Sequence, residues 1–133
     1  GMAVVYAAYD PELDRQIAVK RLDPVRFSAS DPRVVARFQR EAQSMARVSH
    51  PHVCPVYDVG VEDDSIFIAM ELVHGLTLRH WQQDTARPWT EVMRMYLQAG
   101  RGIAAAHRAS LVHRDFKPEN VLVGDDGRAR VVD

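Results

Sequence analysis

Alternating hydrophobic and polar positions near the start of the chain predict a β-hairpin. Val4 to Tyr9 and Gln16 to Leu22 are rich in β-branched residues and alternate, as half-buried strands do. The segment between them, Asp10-Pro11-Glu12-Leu13-Asp14, contains residues that favour turns. Because side chains alternate along a strand, Ala18 and Lys20 are expected to share one face of the second strand.

A long amphipathic helix is predicted next. Asp31 suits the N-cap and Pro32 the first helical position, and the pattern runs to about Val48 before His50-Pro51 stops it. Its apolar stripe consists of Val34, Phe38, Met45 and Val48. Glu41 falls inside this stripe, where an unpaired buried charge would cost ~3–5 kcal/mol, so the pattern predicts a cationic partner for it.

Two further strands are predicted at Val53 to Val59 and Ser65 to Met70, joined by a turn through Gly60 and Asp63-Asp64. The bend at Leu72-Val73-His74-Gly75 then predicts a boundary between a mostly β half and a mostly helical half.

The second half of the chain favours helices followed by a hairpin. Thr77 to Gln83 predicts a short helix, and Thr90 is the expected cap of a long helix running to about Arg108. One side of that helix is expected to carry Val92, Tyr96, Ala99, Ile103 and His107. Gly100 and Gly102 would weaken the helix or allow a close neighbour. Last come Val121 to Val123 and Arg128 to Val132, which flank the turn sequence Gly124-Asp125-Asp126-Gly127.

Composition changes this picture little. The chain has 133 residues, 47% of them hydrophobic, with a formal net charge of −1. This balance gives no electrostatic reason to expect a nucleic-acid partner. No apolar run approaches the ~18–20 residues that span a bilayer, so no membrane segment is expected within the chain. The single cysteine, Cys54, fits the reducing cytoplasm.

The segment His113-Arg114-Asp115-Phe116-Lys117-Pro118-Glu119-Asn120 carries the sharpest chemical signal. It resembles the catalytic loop of protein kinases, H-R-D-x-x-x-x-N. Lys117 followed by Pro118-Glu119-Asn120 resembles the serine/threonine version. The resemblance implies that Asp115 is the base, that Lys117 contacts the transferred phosphate, and that Asn120 is a magnesium ligand. The alternative is a polar loop with a capping aspartate.

A second kinase signature lies upstream. Ala18-Val19-Lys20 resembles the family strand V-A-I-K, whose lysine contacts the ATP phosphates. The resemblance implies that Lys20 pairs with Glu41, the carboxylate on the apolar stripe of the first helix. A lone strand lysine is otherwise usually a solvated residue.

Further ATP-binding positions follow from the same resemblance. Gly1-Met2-Ala3-Val4-Val5 resembles the end of a glycine-rich loop, with Ala3 in place of the third glycine. Val5, Ala18 and Leu122 would then contact adenine, Met70 would be the gatekeeper, and Glu71 and Val73 would offer backbone groups. The alternative is that each apolar residue of this set simply packs in the core.

Asp133 stands about a dozen residues after Asn120 and across a hairpin. This is where the family places its D-F-G aspartate, so the resemblance implies that Asp133 is a second magnesium ligand. His50 and His52 could suggest a metal site, but they stand in a turn that resembles the family's H-P-x turn. A structural role is therefore expected for both, for the framework residue His113 and for buried Cys54.

The resemblance is to bacterial serine/threonine kinases of the eukaryotic type, and it implies an α+β, protein kinase-like fold. Residues 1–73 would form a β-rich N-lobe with one long helix, and residues 74–133 the start of a helical C-lobe that is truncated. The fragment alone is expected to be inactive, and the parent protein could be membrane-anchored through a segment elsewhere.

The implied reaction is transfer of the ATP γ-phosphate, with Mg²⁺, to serine or threonine of a protein substrate. A kinase dimer or autophosphorylation is a further expectation, and Arg114 beside Asp115 suggests control through a phosphorylated activation loop. Two alternatives stay open: a pseudokinase or nucleotide-binding regulatory module, and a small-molecule phosphotransferase of related fold.

Overall fold

The structure is a computed structural model, and it describes residues 3–132. These residues group into two compact units. The first contains the chain up to Arg47 together with Pro55–Leu72, and the second contains Val48–Cys54 together with the chain from Val73 onward. The division into lobes between residues 73 and 74 stays a prediction.

The first unit is an antiparallel sheet covered by one helix. Its strands are β1 (Ala3–Asp10), β2 (Arg15–Leu22), β3 (Val56–Glu62) and β4 (Ser65–Glu71), and its helix is α1 (Pro32–Ala46). The strands lie in the order β1-β2-β4-β3. The predicted first hairpin is therefore confirmed, with Ala18 opposite both Ala7 and Met70.

One face of this sheet forms the core of the unit. Leu22, Ile66 and Ile68 are its buried residues, and Phe38 of α1 packs against them. Lys20 lies directly opposite Ile68 in the ladder. Because opposite residues of an antiparallel pair share a face, Lys20 lies on the face that α1 covers.

Helix α1 begins where the sequence predicts and ends earlier. The Asp31 carboxylate accepts a hydrogen bond of 2.9 Å from the backbone N–H of Arg33, and Pro32 is the first helical residue. The predicted extension to Val48 is wrong, because Arg47 is the C-cap and Val48 is buried in the second unit.

In the second hairpin, the first strand differs from its prediction at both its start and its end. Strand β3 begins at Val56, because Val53 instead bridges to Val131 and the N–H of Cys54 donates to the carbonyl of Val131 at 2.9 Å. Gly60 lies inside the strand, and the turn consists of Asp63 and Asp64, both with positive φ. Two successive positive φ values match a tight hairpin turn, in which aspartate is tolerated.

The second unit packs helices against a small sheet. Its helices are α2 (Leu78–Asp84) and α3 (Trp89–Arg108), and its strands are β5 (Gly75–Thr77), β6 (Val121–Gly124) and β7 (Ala129–Val131). The strands form an antiparallel sheet in the order β5-β6-β7. A 3₁₀ turn, Pro118–Asn120, leads into β6. The core residues are Leu78, Met95, Ala99, Val121, Val123, Ala129 and Val131.

Helix α3 begins earlier than predicted, and its predicted buried face is confirmed in part. Pro88, not Thr90, is the N-cap, since the first turn opens at Trp89. Among the residues predicted to share one side of the helix, Ala99 is buried, and Tyr96 and Ile103 pack against the core. His107 is exposed. None of the helices described between residues 3 and 132 has both the length and the hydropathy to cross a membrane.

Candidate active site

The loop that carries the kinase-like motif begins where α3 ends. The N–H of Ala109 bonds back to the carbonyls of Ala105 and Ala106, and Ser110 then takes a positive φ of 62°. The N–H of Leu111 donates to the carbonyl of Ala106 at 2.9 Å, which turns the chain away from the helix axis. The residues that follow are therefore free of helical hydrogen bonding and form an irregular loop.

His113 fixes the backbone of this loop. Its Nε2 donates to the carbonyl of Val132 at 2.7 Å, and its Nδ1 accepts from the N–H of Asp115 at 3.3 Å. A carbonyl can only accept and an N–H can only donate, so both bonds fit one tautomer with the proton on Nε2. This is consistent with the framework role expected for His113.

Asp115 lies at the centre of the polar contacts. Its Oδ2 is 2.9 Å from the Nζ of Lys117, and the side chain is 62% exposed. The Lys117 ammonium, followed by the Asn120 amide, holds the pKa of Asp115 below its usual value, while partial burial opposes them. Asp115 is therefore ionised at neutral pH and can only accept hydrogen bonds.

Asn120 closes the loop onto Asp115. Its Nδ2 donates to the backbone carbonyl of Asp115 at 3.0 Å and to the carboxylate at 3.3 Å. The backbone carbonyl of Asn120 accepts a hydrogen bond of 2.9 Å from the N–H of Val132. Since His113 bonds the carbonyl of the same Val132, one residue after β7 is held by both ends of the motif.

A second ion pair flanks the motif and was not predicted from the sequence. The Nη1 of Arg79 on α2 lies 2.8 Å from the Oε1 of Glu119 in the 3₁₀ turn. The hydrogen bond from its own backbone N–H, followed by Arg79, keeps the pKa of Glu119 below its usual value. No local sequence signal announces this pair, because 40 positions separate its members.

Lys20 and Glu41 belong to the first unit. Lys20 is half-buried on the face that α1 covers, as the alternation of β2 predicts. The expectation that Glu41 is buried is wrong: its side chain is 48% exposed, and its Oε1 lies 3.1 Å from the Nε of Arg37, one helical turn earlier. Pairing of Lys20 with Glu41 stays a prediction.

The other expected ATP-binding residues occupy varied settings. Ala18 is buried, and Met70 packs against the core of the first unit. The N–H of Glu71 donates to the carbonyl of Pro55 at 3.0 Å, and Val5 is 59% exposed. Val73 and Leu122 are half-buried in the second unit. Asp133 lies outside the described residues, so its role as a metal ligand stays a prediction.

The histidines near residue 50 hold a turn. The Nδ1 of His50 accepts from the N–H of His52 at 3.1 Å, and the Nδ1 of His52 lies 2.9 Å from the carbonyl of Ala129. Cys54 is buried, as expected. Across residues 3–132 no group of three or more histidine, cysteine, aspartate or glutamate side chains is arranged to hold a metal ion.

Comparison with known proteins identifies the family of the chain. The family model described as protein kinase domain matches residues 1–133, and the chain therefore belongs to that family. Serine/threonine-protein kinase PrkC of Bacillus subtilis is 42% identical to it over 136 residues, covering all of this chain and 20% of PrkC. Serine/threonine-protein kinase PknL of Mycobacterium tuberculosis is 40% identical over 134 residues, covering all of this chain and 33% of PknL.

Solved structures give the same result for the fold. The kinase domain of PknI from Mycobacterium tuberculosis superposes with a TM-score of 0.84 at 34% identity, covering all of this chain and 54% of that one. The predicted α+β, kinase-like fold and the resemblance to bacterial serine/threonine kinases are confirmed. The chain spans about half of the solved kinase domain and a fifth to a third of these two curated relatives.

Proposed function

We propose that the protein to which this chain belongs transfers the γ-phosphate of ATP to serine or threonine hydroxyl groups of other proteins. The observation that carries this proposal is the contact of Asp115 with both Lys117 and Asn120. These three side chains meet in one loop of one unit, and their motif resembles the catalytic loop of the kinase family to which the chain belongs.

Asp115 is suited to orient an attacking hydroxyl. It is ionised and largely exposed, so its carboxylate can accept a hydrogen bond from a serine or threonine hydroxyl. The depressed pKa of Asp115 makes it a weak base for an unreacted hydroxyl. We therefore assign it the tasks of orienting the hydroxyl and of accepting its proton once that hydroxyl becomes acidic through bonding to phosphorus.

Lys117 contributes a positive charge beside Asp115. Its ammonium lies 2.9 Å from the carboxylate and its side chain is 47% exposed. An ammonium group has three donors, and in this proposal it contacts a phosphate oxygen as well as Asp115. In this proposal Lys117 stabilises the negative charge that spreads over the oxygens of the transferred phosphate.

The residues fit the Mg²⁺ and ATP that the family generally uses. The Nδ2 of Asn120 donates to Asp115, so the side-chain oxygen Oδ1 is the atom that Asn120 would offer to a cation. Mg²⁺ prefers oxygen ligands. Asp133 is the proposed second ligand. Bound Mg²⁺ would neutralise phosphate charge. We assign the ATP phosphates to Lys20, with Glu41 as its partner, and the adenine to Val5, Ala18, Met70, Glu71, Val73 and Leu122.

The decisive experiment compares two aspartates of the second unit. Phosphate transfer from radiolabelled ATP to a generic protein substrate is measured for the 133-residue chain and for the full-length gene product. Asp115→Asn should abolish transfer in whichever form is active and leave nucleotide binding largely intact. The matched control is Asp125→Asn, which removes the same charge from an exposed turn of the same unit and should retain activity.

The outcomes separate the competing functions. Equal transfer by the Asp115→Asn variant and the wild type would refute the role of Asp115. ATP binding without transfer by the full-length product would favour a regulatory, nucleotide-binding module. Phosphorylation of a small molecule in preference to protein would favour a small-molecule phosphotransferase.

We further propose that the reaction takes place in the cytoplasm and that copies of the protein phosphorylate each other. A mixture of active wild type and tagged Asp115→Asn protein tests the second point. Label on the inactive copy supports transfer between molecules, and an unlabelled inactive copy contradicts it.

A further inference from the structure

The ion pair of Arg79 and Glu119 stands beside the candidate active site. Arg79 lies in the first turn of α2, whose N-cap Thr77 accepts a hydrogen bond of 3.2 Å from the N–H of His80. Glu119 is the middle residue of the 3₁₀ turn that ends with Asn120. The side chains of Arg79 and Glu119 are 58% and 40% exposed, so both charges remain accessible to a bound partner.

The charges around the motif do not cancel once Arg79 is included. Residues 113–120 contain the cations Arg114 and Lys117 and the carboxylates Asp115 and Glu119, which sum to zero with histidine neutral. Each carboxylate is within 2.9 Å of a cation, Asp115 of Lys117 and Glu119 of Arg79. Arg79 therefore adds one positive charge to a loop that would otherwise be neutral.

Contacts link Arg79 to Asp115, because Arg79 pairs with Glu119, the residue before Asn120, and Asn120 bonds Asp115. An acceptor protein that brings its hydroxyl to Asp115 therefore places its neighbouring residues beside this part of the loop. An extended chain advances ~3.3–3.6 Å per residue, so side chains two or three positions from the acceptor lie within ~7–11 Å of it. Charges act on one another over about the Debye length, ~8 Å at physiological ionic strength, so a cation beside this loop can act on such side chains. We propose that Arg79 is a specificity-determining residue that favours acceptor sites with an acidic side chain close to the phosphorylated serine or threonine. This inference rests on the proposed kinase function.

The test uses three peptides that differ only at the positions two and three residues on either side of one serine, where all are aspartate, asparagine or lysine. The full-length product is assayed at low ionic strength, and the ratio of kcat/KM for the aspartate peptide to that for the lysine peptide is measured. The wild-type ratio should exceed one. Arg79→Ala should lower it by about two- to fivefold, the range of an exposed charge pair. Glu119→Gln should raise it by a similar factor, because Arg79 then lacks its carboxylate.

Two controls separate charge from fold. Arg79→Lys keeps the charge and should keep the ratio. Arg101→Ala removes a cation from an exposed position of α3 and should leave the ratio unchanged. Raising the salt concentration should bring the wild-type ratio towards one, whereas a purely structural role of Arg79 would lower activity on all three peptides equally.

The proposal is overturned if the wild-type enzyme phosphorylates the three peptides but Arg79→Ala and Glu119→Gln leave the ratio unchanged or shift it in the same direction. Transfer to none of the peptides and to no protein substrate by the wild type would overturn the proposed kinase function together with this inference.

Discussion

Gly102 offers the sharpest stability test, because it lies against a backbone that cannot easily move. A Cβ atom added at this position would lie 2.2 Å from the carbonyl oxygen of His52 and 3.2 Å from a methyl group of Val131. The carbonyl of His52 accepts from the N–H of Val131 at 2.9 Å, and the N–H of Cys54 bonds the carbonyl of Val131. The segment that must yield to an alanine is therefore held from two sides.

The magnitude follows from two opposing effects. Overpacking a well-filled interior costs about 1–3 kcal/mol. Replacing glycine by alanine inside a helix contributes about 0.8–1.0 kcal/mol in the other direction. Since 2.2 Å is far below any normal contact distance, the steric cost should lie at the upper end. We expect Gly102→Ala to lower the free energy of unfolding by about 1–2 kcal/mol.

Gly100 is the matched control in the same helix. An added Cβ would meet nothing within 4 Å, so only the helix propensity changes. Gly100→Ala should therefore raise the free energy of unfolding by about 0.5–1 kcal/mol. Both variants are followed by circular dichroism during thermal unfolding, where 1 kcal/mol corresponds to about 2–8 °C for a domain of this size. A Gly102→Ala variant that melts at or above the wild type would refute the reasoning.

Three further predictions concern packing, turn geometry and pH. Leu78→Ala should lower the free energy of unfolding, measured in urea, by about 2–5 kcal/mol, because Leu78 is fully buried. Leu76 is half-exposed, so Leu76→Ala should lower it by less than ~1 kcal/mol. Equal losses for the two variants would contradict the packing argument. Asp64→Gly should raise the melting temperature, because glycine adopts positive φ without the strain of a side chain; a lower value would contradict this. Asp126, whose pKa Arg130 holds at about 2, contributes stability that is complete above the usual carboxylate pKa and is lost as the pH falls through about 2. Wild type and Asp126→Asn should therefore differ in denaturant midpoint at pH 6 and converge near pH 2, and a constant difference would contradict the assignment.

The sequence predicted those features that depend on local pattern. Both units contain hairpins where alternation and turn residues predicted them, and α1 begins at Pro32 because Asp31 caps it. The Asp115 loop was recognised from residue types at fixed spacing, and the contacts among Asp115, Lys117 and Asn120 are local as well.

The misses arise where distant segments decide the outcome. Strand β5 has only three residues and forms because β6 pairs with it, so no periodicity announces it. The pair of Arg79 and Glu119 likewise needs the tertiary fold. Glu41 is a different case: Arg37 stands four residues before it, and this common helical pair could have been predicted from sequence alone.

The pairing of Val53 and Cys54 with Val131 also determines when the second unit can fold. These contacts join positions 77 and 78 residues apart, so loop closure over this distance must precede them. During synthesis the residues 48–54 emerge from the ribosome long before their partner does. They therefore cannot make these native contacts until β7 has been made.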